Sequence, residues 1–179
     1  MNILKRISSN EILAFFDSEH PIKADPVGFN GNKWARNILE QADSDFYGLW
    51  HYVELEASEI FDIALPYHNG EGGGDILIDE KGLTVSQAVQ KIKNIFDYGK
   101  RNPVCWEKIS YWQTREFSPI FLSTAPVNAE RQKLLSPSMG SLFHLDGLHR
   151  LIGWGMVGRF DPGIYGKKGK LAAYLAGKI

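Results

Sequence analysis

The chain has a single cysteine in 179 residues, Cys105, so it can close no intrachain disulfide and build no cysteine-rich zinc site. It has no excess of either charge: 20 basic residues face 21 acidic ones, for a net charge of −1. Strong nucleic-acid binding needs a concentrated positive field, and this balance supplies none. The short basic run Lys167, Lys168 and Lys170 reads as a solvated loop. No apolar run approaches the roughly 20 residues of a membrane span. Residues 1–16 carry neither a long apolar stretch nor a small-residue cleavage site, so no signal peptide is expected. A cytoplasmic protein without a membrane partner follows as the expectation. Internal repeats and low-complexity linkers are missing too. What is present is an ordinary globular composition, 44% hydrophobic and 23% charged, in a chain long enough for one domain with a real core.

Ser8 and Glu11 form a capping box ahead of Ile12, Leu13, Phe15 and Phe16, which predicts an opening helix. Pro21, Pro26, Gly28 and Gly31 break it, and a second helix runs over 33–42 with Trp34, Ile38 and Leu39 on one side. These helices read as a lid or packing layer, an N-terminal helical extension over 1–48. From 50 to 57 the pattern alternates, with Val53, Leu55 and Ala57 against Glu54 and Glu56, and 61–66 continue this strand. Residues 67–74, with four glycines, His68, Asn69 and Glu71, are a loop. It lacks the lysine and hydroxyl residue that follow the glycines of a phosphate loop, and a plain hairpin connection reads better than an active-site flap. Residues 75–78 make a short strand or turn.

Thr84 and Gln87 cap a helix whose Val85, Val89, Ile92 and Phe96 recur at helical spacing. Asn102-Pro103 starts another, reaching Trp112. Tyr98, Trp106, Tyr111 and Trp112 could stack on a base, but beside Ile109 they read as core. Strands follow at 118–124 and 142–145, with a polar loop between them. A helix over 149–157 stops at Gly158, and a last strand covers 171–175. The class is α+β, a small mixed β-sheet with packed helices.

The chemistry concentrates where the 142–145 strand meets the next helix, at Asp146-Gly147-Leu148-His149-Arg150. A glycine there turns the backbone sharply and exposes the first amides of the helix, which with the helix dipole favour an anion. Arg150 can add forked donors to a phosphate, His149 can donate to it or brace the turn, and Asp146 can hold magnesium or orient a substrate. Taken alone, the same residues read as a helix cap and a surface ion pair.

Ser118-Pro119-Ile120-Phe121-Leu122, followed by Phe143-His144-Leu145-Asp146-Gly147-Leu148-His149-Arg150-Leu151, resembles the core of the ParB/sulfiredoxin superfamily. Tyr52-Val53-Glu54-Leu55 resembles its first strand, and the helix over 84–98 sits where the superfamily has one. The likeness spans roughly 50–176 and implies a ParB/sulfiredoxin-like domain over 49–179. The tail Tyr174 to Gly177 also resembles that of a bacterial family of this size, a likeness that carries no chemistry. Within the superfamily, sulfiredoxin attacks with a cysteine at the position of Leu148, so sulfinic acid reduction is not expected here. The DNA-reading domain of the partitioning proteins is not expected within the roughly thirty residues after Arg150. The free-serine kinase branch, with its D-G-H-x-R turn, matches Asp146, Gly147, His149 and Arg150, although Leu148 replaces its first histidine.

This resemblance implies ATP or another nucleotide and Mg2+ as cofactors. Ser118, Gly147, Leu148, His149 and Arg150 would lie on the phosphates and Asp146 on the metal. Asp62, or Glu59 as the close alternative, would orient the acceptor hydroxyl. The expected function is a small-molecule kinase or related phosphotransferase for a hydroxylated amino acid or similar metabolite. The alternative is a non-catalytic nucleotide- or phosphate-binding module. His144-Leu145-Asp146 also opens the H-x-D pattern of non-haem iron oxygenases, but the only later histidine, His149, lies across the turn, and His20, His51 and His68 lie upstream. His144 therefore reads as a half-buried strand residue.

Overall fold

In a computed structural model of the chain, residues 1–20, 31–161 and 170–179 are described. Pro21, Pro26 and Gly28, and Lys167 and Lys168 of the basic run, lie outside the described residues. The chain opens with β1 (Asn2–Ile7), α1 (Ser9–Glu19) and α2 (Gly31–Asp45). Then β2 (Trp50–Leu55), the one-turn α3 (Ala57–Phe61) and β3 (Ala64–Leu65) lead into the glycine-rich loop. Beyond it come β4 (Leu83–Thr84), α4 (Val85–Asn94), the short α5 (Tyr98–Arg101) and α6 (Pro103–Gln113). The order closes with β5 (Ile120–Ser123), β6 (Phe143–Asp146), α7 (Leu148–Met156) and β7 (Leu171–Ala176).

The strands form one mixed sheet in the order β1-β2-β7-β5-β6-β3-β4. β7 and β5 run parallel, as do β6 and β3, and the other pairs are antiparallel. Period-two alternation sends successive side chains to opposite faces. Val53, Leu55, Ile120, Leu122, Leu171, Ala173 and Leu175 share one buried cluster with residues of α4, α6 and α7. Trp50, Phe121, Tyr174 and Ala176 share the other with Ile12 and Phe16 of α1 and Ile38, Leu39 and Ala42 of α2. The protein is thus a mixed α+β fold in three layers, helix, sheet and helix. No described helix is long and apolar enough to cross a membrane.

Both predicted capping boxes form. Ser8 N donates to Glu11 Oε2 at 3.0 Å, and Thr84 N donates to Gln87 Oε1 at 2.9 Å. Two expectations need correction. The opening of the chain is not helical alone, because β1 pairs antiparallel with β2, from Asn2 opposite Glu54 to Ile7 opposite Trp50. Only Ile7 of this strand is buried, so backbone pairing to a formed sheet holds it and no hydrophobic pattern announces it. The strand of 50–57 also does not continue through 61–66. Glu59 accepts from the Glu56 N–H at 2.9 Å, which starts α3 and ends the strand. An acid-acid cap at Glu56 and Glu59 was the signal for that break.

Candidate functional site

The turn from β6 into α7 has the predicted backbone. Gly147 sits at φ +106°, and a Cβ there would lie 2.7 Å from Ile120 Cγ2. Only glycine takes that angle without strain. Asp146, Leu148 and His149 line a cleft of about 920 Å3, within the size range of small-molecule sites. Across the cleft stand Trp34 and Ala35 of α2, the loop residues from Pro66 to Gly74, Lys108 of α6 and Arg131.

Arg150 and Gly147 do not line it. Arg150 is 4% exposed, and its guanidinium donates to Ser118 Oγ at 3.0 Å, Pro119 O at 2.9 Å and Asp146 Oδ2 at 2.7 Å. Its donors thus tie the lead into β5 to the end of β6, and Ser118 serves that tie. Burial pushes the Asp146 pKa up, but the Arg150 charge, His20, His144 and the Arg150 hydrogen bond together outweigh it and hold the pKa below the usual range. His20 Nε2 lies 3.6 Å from the same oxygen.

Neither predicted hydroxyl-orienting acid lines the cleft. Asp62 is exposed and accepts from the Ser141 N–H at 3.0 Å. Glu59 binds the N-terminal amine and caps α3. Besides Asp146, the cleft contains the carboxylate of Glu71, from the glycine-rich loop. That loop lies over the start of α6, where the Glu71 N–H donates to Cys105 Sγ at 3.4 Å and Lys108 pairs with the Glu71 carboxylate. Gly70 and Gly74 pack against the buried Asn102 side chain, leaving no room for a Cβ at either position. The loop is glycine-rich so that it can close down on α6.

Around Glu71 the fold gathers four groups that were not read together in the sequence: His68, Glu71, Cys105 and His149. One ligand-type atom from each lies within 4.8 Å of the others. Cys105 Sγ is 3.6 Å from His68 Nε2, and His149 Nε2 is 3.8 Å from Glu71 Oε1, without a hydrogen-bond partner among the described residues. The imidazoles of His68 and His149 meet edge to face at 5.1 Å. Burial pushes the His68 pKa down to about 4, and burial together with the neighbouring His68 pushes His149 well down too. Both rings are therefore neutral at pH 7. Burial raises the Cys105 thiol, which is fully enclosed and absent from the cleft wall, so this is not an activated nucleophile. Glu71 loses from burial, yet Lys108 beside it keeps its pKa below the ordinary value. His144, on β6, is buried with neither ring nitrogen hydrogen-bonded among the described residues, and burial takes its pKa down to about 4.

The fold and the cleft define a three-layer α+β protein with a cleft of small-molecule size between a strand-to-helix turn and a glycine-rich loop. The chain belongs to the family of unknown function DUF6309, whose model matches residues 1–179. No curated protein and no solved structure matches it.

Proposed function

We propose that the cleft binds a small phosphorylated ligand, a nucleotide with Mg2+ in the first instance, and transfers a phosphoryl group to a hydroxylated metabolite. The observation that carries this reading is the meeting of opposite charges in one cleft. Asp146 and Glu71 line it together with Lys108, Arg131 and the first turn of α7. Phosphoryl transfer asks for cations on the phosphates, an acid for the metal and an acid at the acceptor hydroxyl. Lys108, Arg131 and the α7 amides supply the first, Asp146 the second and Glu71 the third, in place of Asp62 or Glu59. Trp34, under the Arg131 guanidinium at 4.6 Å, offers a flat wall for a base. Mg2+ commonly uses one or two protein carboxylates and the phosphates themselves, which this set allows. The ParB/sulfiredoxin resemblance of the turn supports the same reading.

Titration with ATP and magnesium, followed by assay against hydroxylated amino acids, tests it. Glu71→Gln is expected to keep nucleotide affinity within a few-fold and to lose on the order of 100-fold in turnover. Asp62→Asn and Glu59→Gln are expected to change neither. No nucleotide binding by the wild-type protein would overturn the proposal. One observation favours the non-catalytic alternative: Lys108 already pairs with Glu71, which lowers its value as a base. Binding without turnover on any acceptor would select that reading.

A further inference from the structure

We infer that His68, Cys105 and His149, with Glu71 as fourth ligand, form a site for a divalent transition metal of the zinc class. The inference shares Glu71 with the proposed phosphate cleft but does not depend on it. Mg2+ takes oxygen ligands, whereas one thiolate with two imidazoles is a borderline-soft set that selects zinc and its neighbours. The four atoms come from three segments that the fold locks together. His68 is fixed by the bridge to Ile78, where its N–H donates to Ile78 O at 3.0 Å. Cys105 sits in the first turn of α6, and His149 in the first turn of α7.

The geometry is close to that of a loaded site. A tetrahedral zinc with bonds of ~2.0 Å to nitrogen and ~2.3 Å to sulfur sets its thiolate and imidazole atoms roughly 3.5 Å apart. Cys105 Sγ and His68 Nε2 are 3.6 Å apart before any ion is considered. Among the described residues His149 Nε2 is buried without a hydrogen bond, a cost that a metal bond would remove. Charge balances as well: a thiolate and a carboxylate neutralise a divalent ion, and the two imidazoles add nothing. Binding releases the Cys105 proton to solvent.

The ligands also divide by exposure. Cys105 is enclosed behind the wall, while His68, Glu71 and His149 face the cleft. Glu71 can give Oε1 to the metal while Lys108 holds Oε2, the outer hydrogen bond that orients many ligating carboxylates. An ion here lies at the cleft wall, with its tetrahedral positions filled by the four side chains. A water or substrate oxygen would enter only by adding a fifth ligand or displacing Glu71.

Cobalt reports such a site directly. The full-length protein, stripped with chelator and titrated with Co2+ alone, is expected to take up one ion per chain. The complex should show a thiolate-to-cobalt band in the near ultraviolet and visible bands of tetrahedral strength. Zn2+ should displace the cobalt and bleach both. Cys105→Ser is expected to abolish the ultraviolet band, and His149→Ala to weaken metal affinity at least ~10-fold. Failure to bind one equivalent, or a band that survives Cys105→Ser, overturns the site. If Cys105→Ser does not fold, His149→Ala decides: wild-type metal affinity in that variant overturns the proposal equally. Because no nucleotide is present, the outcome is independent of whether the cleft binds ATP.

Discussion

The Arg150 guanidinium joins three backbone segments: the residues before β5, the end of β6 and the first turn of α7. It also lies 5.6 Å over the Trp112 ring, so its removal opens space as well as breaking bonds. Arg150→Ala would leave the partly buried Asp146 charge and the Pro119 carbonyl without their donor. Losing one partner of such a pair costs on the order of 3 kcal/mol. A lower urea midpoint of that size is expected; a change under about 0.5 kcal/mol would show that the contacts contribute little. Gly147, three residues earlier in the turn, is under a different constraint, that of backbone angle. Gly147→Ala is expected to destabilise by at least about 1–2 kcal/mol from the left-handed backbone alone. The contact with Ile120 adds to it. The two variants separate the roles of this motif, because neither residue lines the cleft that the turn supports.

Between helices, α7 packs tightly on α6. A Cβ at Gly153 would lie 2.6 Å from Ile109 O and 3.0 Å from Trp112 Cβ, so the helices meet backbone to backbone. Gly153→Ala should force them apart at about 1–3 kcal/mol, the usual cost of overpacking. It should also reduce the affinity of the cleft for its ligand, because α6 carries Cys105 and Lys108 while α7 carries His149. Thermal unfolding measures the first effect and Co2+ titration the second; unchanged metal affinity in a destabilised variant would uncouple the packing from the site. Local signals made much of this frame readable. Ser8-Glu11 and Thr84-Gln87 start their helices where the capping pattern places them, and the strand, glycine and helix around Gly147 follow in the expected order. β1 was not readable, since five of its six residues are exposed and only the partner strand holds it. The cluster was hidden for a related reason. His68 and Cys105 are 37 residues apart, and their meeting depends on a loop closing over α6. The available hint was chemical: the only thiol of the chain lies one helical turn before Lys108, and the glycine-rich loop carries both a histidine and an acid.

Across the whole molecule, three histidines are held neutral by burial: His68 in the loop, His144 on β6 and His149 on α7. Each has a folded-state pKa below the ordinary value of 6.5, so each affects stability in one direction. Above pH 6.5 the rings are neutral in both states and contribute no slope. As pH falls below 6.5 the unfolded chain takes up protons that the native state refuses, and stability declines. For His68 and His144 the loss continues until about pH 4, where the native rings also protonate. One such proton gives a slope of up to about 1.4 kcal/mol per pH unit. Asp146 and Glu71, with lowered carboxyl pKa values, add their own loss only at the acid end of this window and below it. Urea unfolding in chelator from pH 8 to pH 4 is therefore expected to show a plateau and then a steep fall beginning near 6.5. His144 faces Asp146 and Arg150, and among the described residues its ring has no hydrogen bond to lose, so His144→Leu isolates its contribution. That variant should lose up to one proton's worth of slope between pH 6.5 and 4 while keeping the plateau. An unchanged slope would mean that the ring is protonated in the native state, with Asp146 as the counter-charge that outweighs its burial.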